Sequence, residues 1–179
     1  MLGLTTLGVF HTAIALVAVV CGFIALARDK EISPNNRLGQ VYLVLTLVTA
    51  LTALGIFQHG GFGPPHVLAL LTLVALAVGT VAATSPLFGR ASRYVQAISY
   101  SATVLFHMIP AVTESSTRLP PGAPLVASQD APVLQAVNLA LIVVFLVGAT
   151  LQVRWLRRSL PATSAGPTSG APRVSPARR

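Results

Sequence analysis

Charge is what this chain of 179 residues has least of. Only 9% of its residues are Asp, Glu, Lys or Arg, and just four are acidic. A soluble domain of this size would have too little polar surface to cover its core at 54% hydrophobic residues and a mean hydropathy of +0.76, so the bilayer is the expected solvent. One cysteine, Cys21, lies inside an apolar run and excludes an intrachain disulfide and any multi-cysteine metal centre. Its default reading is a small buried hydrophobe. No CxxCH or HExxH stands anywhere, which removes covalent haem attachment and the zincin helix.

What the chain does have is apolar length. A helix needs about 20 mainly apolar residues to cross about 30 Å of hydrocarbon. Five stretches meet this condition, at 4–27, 39–58, 66–84, 94–113 and 133–153, so an all-α, polytopic transmembrane bundle is expected over residues 1–158. The remainder, 159–179, is rich in Pro, Ser, Ala, Gly and Arg and reads as a disordered basic tail. Ala25-Leu26-Ala27 resembles a signal-peptidase site, but no basic residue precedes the first run and the run is too long for an h-region. Val20 likewise argues against lipoprotein processing at Cys21. The first stretch is therefore read as a retained helix.

The excess of Lys and Arg, a formal +8, falls in alternate gaps. Arg28, Lys30 and Arg37 follow the first span, Arg90 and Arg93 precede the fourth, and Arg154, Arg157, Arg158, Arg173, Arg178 and Arg179 follow the fifth. The turn at 59–65 has no charge, and the connector 114–132 has Arg118 as its one basic residue. The positive-inside rule then predicts an outer N-terminus and a cytoplasmic C-terminus in a bacterial inner membrane. Basic residues so placed point to anionic lipid headgroups at the cytoplasmic face rather than to nucleic acid.

On this topology all four histidines fall toward the outer side. His11 and His107 each lie roughly 10 Å in from the outer end of their helices, while His59 and His66 bracket the short outer turn. His11 shares a face with Ala15, Ala18 and Gly22. His107 shares one with Tyr100, Thr103, Pro110 and Glu114, a polar stripe expected to face the bundle interior. Gln135 and Asn138 are expected to close the same pocket, and Tyr42, Tyr94 and Trp155 read as interface anchors. Ala75, Gly79 and Ala83 recur every four positions as a close-approach stripe on the third span.

Paired imidazoles on facing helices suit a b-type haem, with His11 and His107 as axial ligands, or a transition metal held by His11, His66, His107 and Glu114. Met108 lies about 100° of helical phase from His107, so the two do not serve one site together. Two other readings stand beside this one. The histidines are satisfied packing residues of a membrane subunit partnered with another membrane protein, or they relay protons in a small-solute permease.

The stretch Arg37-Leu38-Gly39-Gln40-Val41-Tyr42-Leu43, following an early helix that carries His11, resembles small uncharacterised bacterial membrane proteins that are loosely similar to cytochrome b561-like bundles. The resemblance covers about the first four spans and implies a bundle with haem or redox chemistry, fixing no reaction. Asn36 stands where a histidine precedes the arginine in such relatives, and no second histidine pair lies near the cytoplasmic face. A single outer site exchanging electrons with a quinol or an external donor is the redox version this implies.

Overall fold

The computed structural model describes residues 5–56 and 61–159 and is all-helical, 82% helix with no strand among the described residues. Five helices, α1 (Thr6–Asp29), α2 (Arg37–Leu54), α3 (Pro64–Thr84), α4 (Ser92–Arg118) and α5 (Pro132–Ser159), are each long and apolar enough to cross a membrane. His59 and residues 160–179, where the tail is expected, lie outside the described residues.

Helix ends follow local chemistry. The Thr5 hydroxyl accepts the Gly8 N–H at 3.1 Å to start α1, and Lys30 ends it in the left-handed region at φ 63°. Asn36 Oδ1 takes the Gly39 N–H at 2.8 Å to start α2. That helix stops at Leu54, four residues before the expected 58, where Gly55 bonds back to Thr52 and Ala53. Pro64 and Pro132 open α3 and α5, where the missing proline N–H costs nothing. A 3-10 turn, Pro86–Ala91, leads into α4, which runs through Pro110 to Arg118, five residues past its expected end.

Helices α1 to α4 pack in sequence and α4 returns to α1, closing a four-helix ring; α5 lies outside it against α4. The ring is seated on two tyrosines. Tyr42, 0% exposed, is fully buried rather than anchored at an interface, and its ring fits because Gly22 on α1 has no side chain: a Cβ there would lie 2.7 Å from Tyr42 Cε2. Tyr100 is seated against Gly79 in the same way. The α3 stripe that packs is thus Ala69, Thr72, Leu76, Gly79 and Ala82, one face over from the expected one. Ala83 is exposed, and what approaches Gly79 is an aromatic ring, not a backbone.

The basic end of the bundle is tied by Arg93. Its Nη2 lies 3.1 Å from Glu31 Oε1, and its guanidinium lies 6.0 Å over the Trp155 ring. Gln152 joins α5 to the ring at the same level, with Nε2 donating to the Lys30 carbonyl at 2.7 Å and Oε1 accepting from Ser101 at 3.1 Å.

Candidate functional site

At the opposite end, α1 to α4 enclose a cavity of about 560 Å³. It is walled by Gly8, Ala15, Ala50, Ala53, Ala69 and Ala111, small residues that leave the space open, and by Leu16, Val19, Leu68 and Phe106. His11, His66, His107 and Glu114, the residues named as candidate ligands, all line it. Ala18, Gly22, Tyr100, Thr103 and His107 are buried, as the inward phase of α1 and α4 requires.

Two expectations fail. Gln135 is exposed, its Nε2 donating to the Asp130 carbonyl at 3.2 Å, and neither it nor Asn138 lines the cavity, because α5 lies outside the ring. Gln129 and Asp130, in the connector before α5, stand at the mouth instead. Glu114 is not isolated at the mouth. It pairs with Arg118 one turn along α4 and accepts from Gln129 Nε2 at 3.1 Å. Met108 faces away, into a groove between α4 and α5.

The hydrogen bonds around the imidazoles fit one arrangement of their protons. The Thr52 hydroxyl has one hydrogen and directs it to the carbonyls of Val48 and Thr49, at 2.9 and 3.0 Å. With that hydrogen on either carbonyl, the 3.0 Å contact from His11 Nδ1 to Thr52 Oγ1 is donated by the ring. A neutral His11 so held carries its lone pair on Nε2.

The same bookkeeping runs from α4 to α2. Thr103 donates to the Tyr100 carbonyl at 2.7 Å, so Tyr42 donates to Thr103 at 2.6 Å. In that arrangement Thr46, bonded to the same tyrosine hydroxyl, donates to it, and the 3.3 Å contact between His107 Nε2 and Thr46 is donated by the ring. The neutral His107 ring keeps its lone pair on Nδ1. This chain ends on a backbone carbonyl at Tyr100, so as arranged it holds His107 and does not extend as a wire to the basic end.

His66 differs from both. It is 4% exposed, stacks on Phe62 with ring centroids 5.2 Å apart, and its Nδ1 accepts the Gly63 N–H at 3.2 Å at the start of α3, which puts the hydrogen of the neutral ring on Nε2.

Three threonines complete the lining. Thr12, Thr49 and Thr72 each donate to the carbonyl four residues earlier, at 2.8 Å, and so offer the cavity only oxygen lone pairs. At the depth of the histidines the cavity thus presents three hydroxyl oxygens beside the imidazoles of His11 and His107, while Ser115, Arg118, Gln129 and Asp130 bring both donors and acceptors nearer the mouth.

A haem held between His11 and His107 requires Nε2 of both rings. His107 Nε2 lies 3.3 Å from Thr46 Oγ1, so as arranged that nitrogen is engaged with α2. Among the described residues no three His, Cys, Asp or Glu side chains are placed to hold a metal ion together. No protein-family model, curated protein or solved structure matches the chain. The likeness to cytochrome b561-like bundles therefore rests on residues 37–43 and His11 alone.

Proposed function

We propose that this is a multi-pass membrane protein of the bacterial inner membrane that binds an uncharged, lipophilic molecule carrying hydroxyl donors, of the quinol class, in the histidine cavity. The observation that carries this reading is the set of three threonine oxygens beside His11 and His107 at the inner depth of a cavity whose walls there are mainly apolar. A ligand that complements it brings O–H groups and an apolar body.

Charge argues for a neutral ligand. The charged side chains lining the cavity are Glu114 and Arg118, paired with each other, and Asp130 at the mouth. A cation moved to the depth of the histidines would lie in low dielectric without a dedicated counter-charge. The positive-inside arrangement of Arg28, Lys30, Arg90 and Arg93 supports an orientation with the cavity toward the outer leaflet and the C-terminus in the cytoplasm.

The test is equilibrium binding of a short-chain benzoquinol to detergent-purified protein, with its metal content and visible spectrum measured in parallel. Saturable binding that weakens roughly tenfold in His11→Ala and in His107→Ala, the effect of one lost hydrogen bond each, supports the reading. A Soret band, or stoichiometric metal lost in the same two variants, replaces it with the haem or metal reading. No binding and no cofactor, with tight copurification of another membrane protein, replaces it with a subunit role.

A further inference from the structure

A second open space lies between α4 and α5, on the side of α4 away from the histidines. It measures about 460 Å³ and its walls are almost wholly apolar: Phe23 and Leu26 of α1, Leu105 and Met108 of α4, Leu141 and Phe145 of α5. The stretch of α5 that lines it runs from Leu141 to Trp155, roughly 21 Å at about 1.5 Å per residue. One leaflet supplies about half of a hydrocarbon core of about 30 Å, so the groove is long enough for an extended acyl chain inserted from one face. Gly148 sits midway along it, and a Cβ there would meet nothing within 4 Å. The space is open at its centre.

Its two ends differ in chemistry. At the Leu141 end the lining is aliphatic. At the other end stand Lys30, Gln152 and Trp155, at the basic end of the bundle. There Arg28 is paired with Asp29 and Arg93 with Glu31, whereas Lys30, Arg154, Arg157 and Arg158 make no ion pair among the described residues. Lys30 is exposed and its Nζ donates to the Ala27 carbonyl at 2.6 Å. Gln152, bonded to both the Lys30 carbonyl and Ser101, holds α5 at a fixed spacing from α1 and α4 where the groove opens. An apolar slot with one cation that makes no ion pair, Lys30, in its lining at one mouth and none at the other is complementary to an anion with a hydrocarbon tail.

We propose that this groove binds one anionic phospholipid, its acyl chain between α4 and α5 and its phosphate at Lys30, with Trp155 at headgroup level. The site is separate from the histidine cavity and does not depend on what that cavity binds. A juxtamembrane cation attracts an anionic headgroup with an energy that corresponds to about fivefold in affinity. The chain adds the apolar contact that positions the lipid in this groove rather than elsewhere on the surface.

Native mass spectrometry of the full-length protein, equilibrated with phosphatidylglycerol or with phosphatidylcholine of identical chains, tests this. One phosphatidylglycerol is expected to be retained in preference to phosphatidylcholine. Gly148→Phe, which fills the open centre of the groove, is expected to abolish retention of both lipids. Lys30→Asn, a side chain that tolerates the left-handed backbone, is expected to lower the preference for phosphatidylglycerol about fivefold while leaving phosphatidylcholine unchanged. Equal retention of the two lipids by the wild type overturns the proposal without recourse to any variant. It is overturned equally by undiminished retention in a folded Gly148→Phe protein, or by a dimer that this substitution dissociates, which would give the groove to a second copy.

Discussion

The hydroxyl of Tyr42 lies 2.6 Å from Thr103 Oγ1, joining α2 to α4 at the centre of the bundle, and both residues are fully buried. Thr103 has already given its hydrogen to the Tyr100 carbonyl, so the tyrosine is the donor and Thr46 completes its bonding. Removing the hydroxyl takes one hydrogen bond from each of Thr46 and Thr103 while the ring still packs. Tyr42→Phe is expected to lower stability by about 1 kcal/mol, within the range of interhelical hydrogen bonds in membrane proteins. Equilibrium unfolding in mixed micelles measures it. The substitution also removes the acceptor that orients Thr46 toward His107, so binding in the histidine cavity should weaken alongside stability.

Glycines 22 and 79 are expected to resist replacement, because each is packed against a tyrosine ring. At Gly22 an added Cβ lies 2.7 Å from the Tyr42 ring, which is enclosed and cannot swing aside. Gly22→Ala should cost about 1–3 kcal/mol, the usual scale of overpacking. The diagnostic is non-additivity: in a Tyr42→Leu background the same substitution should cost clearly less, because the smaller side chain leaves room. Equal costs in both backgrounds would mean that this contact does not limit the approach of α1 and α2.

Much of this architecture is legible in the sequence because bilayer thickness fixes span length and helical phase fixes direction. All five helices overlap the apolar runs, and the stripes through His11 and His107 do turn inward. What could not be read is helix order around the bundle. Gln135 and Asn138 have the right depth for the histidine cavity but the wrong helix, since α5 stands outside the ring. Tyr42 looks like an interface anchor from its place near the end of an apolar run. Only the tertiary pairing of Gly22 with its ring shows that it is core. Gln152 is the residue most open to earlier recognition: an amide inside an apolar run is costly in lipid and seeks a partner. Its partners, Ser101 and the carbonyl of Lys30, are far away in sequence.

Gln152 is the side-chain tie between α5 and the end of α1. Gln152→Leu keeps the volume and removes both hydrogen bonds, so it should loosen the basic end of α5 without unfolding the ring. The expected readout is faster thiol labelling of a cysteine placed at Leu156, which is 0% exposed, with little change in a cysteine placed at Ala50 in the ring. Comparable acceleration at both positions would indicate global destabilisation instead of a local release.

Orientation has its own direct check. With a cysteine at Gly61 and, separately, at Ser159, in a background where Cys21 is replaced by alanine, a membrane-impermeant maleimide applied to intact cells should label position 61 and spare position 159 until the membrane is opened. The reverse pattern would place the unpaired arginines of α5 outside, against the distribution of Lys and Arg, and would invert the leaflet assigned to both cavities.

The sharpest test of the site concerns Thr52 and not a histidine. With the Thr52 hydrogen on the carbonyl of Val48 or Thr49, His11 Nδ1 is the donor to Thr52 and the ring's lone pair is on Nε2. Thr52→Val preserves shape but removes the oxygen that accepts from Nδ1, freeing the ring to exchange tautomers. If the cavity binds a hydroxyl donor through His11 Nε2, affinity for a short-chain benzoquinol should fall about fivefold, roughly 1 kcal/mol, which is less than for His11→Ala, because the nitrogen remains but is no longer held in its accepting form. Thr52→Ser, which restores the oxygen, should recover most of the loss. A Thr52→Val protein that binds as tightly as the wild type would show that the tautomer of His11 has no part in recognition, and the case for a donor ligand would then rest on His107 and the threonine oxygens alone.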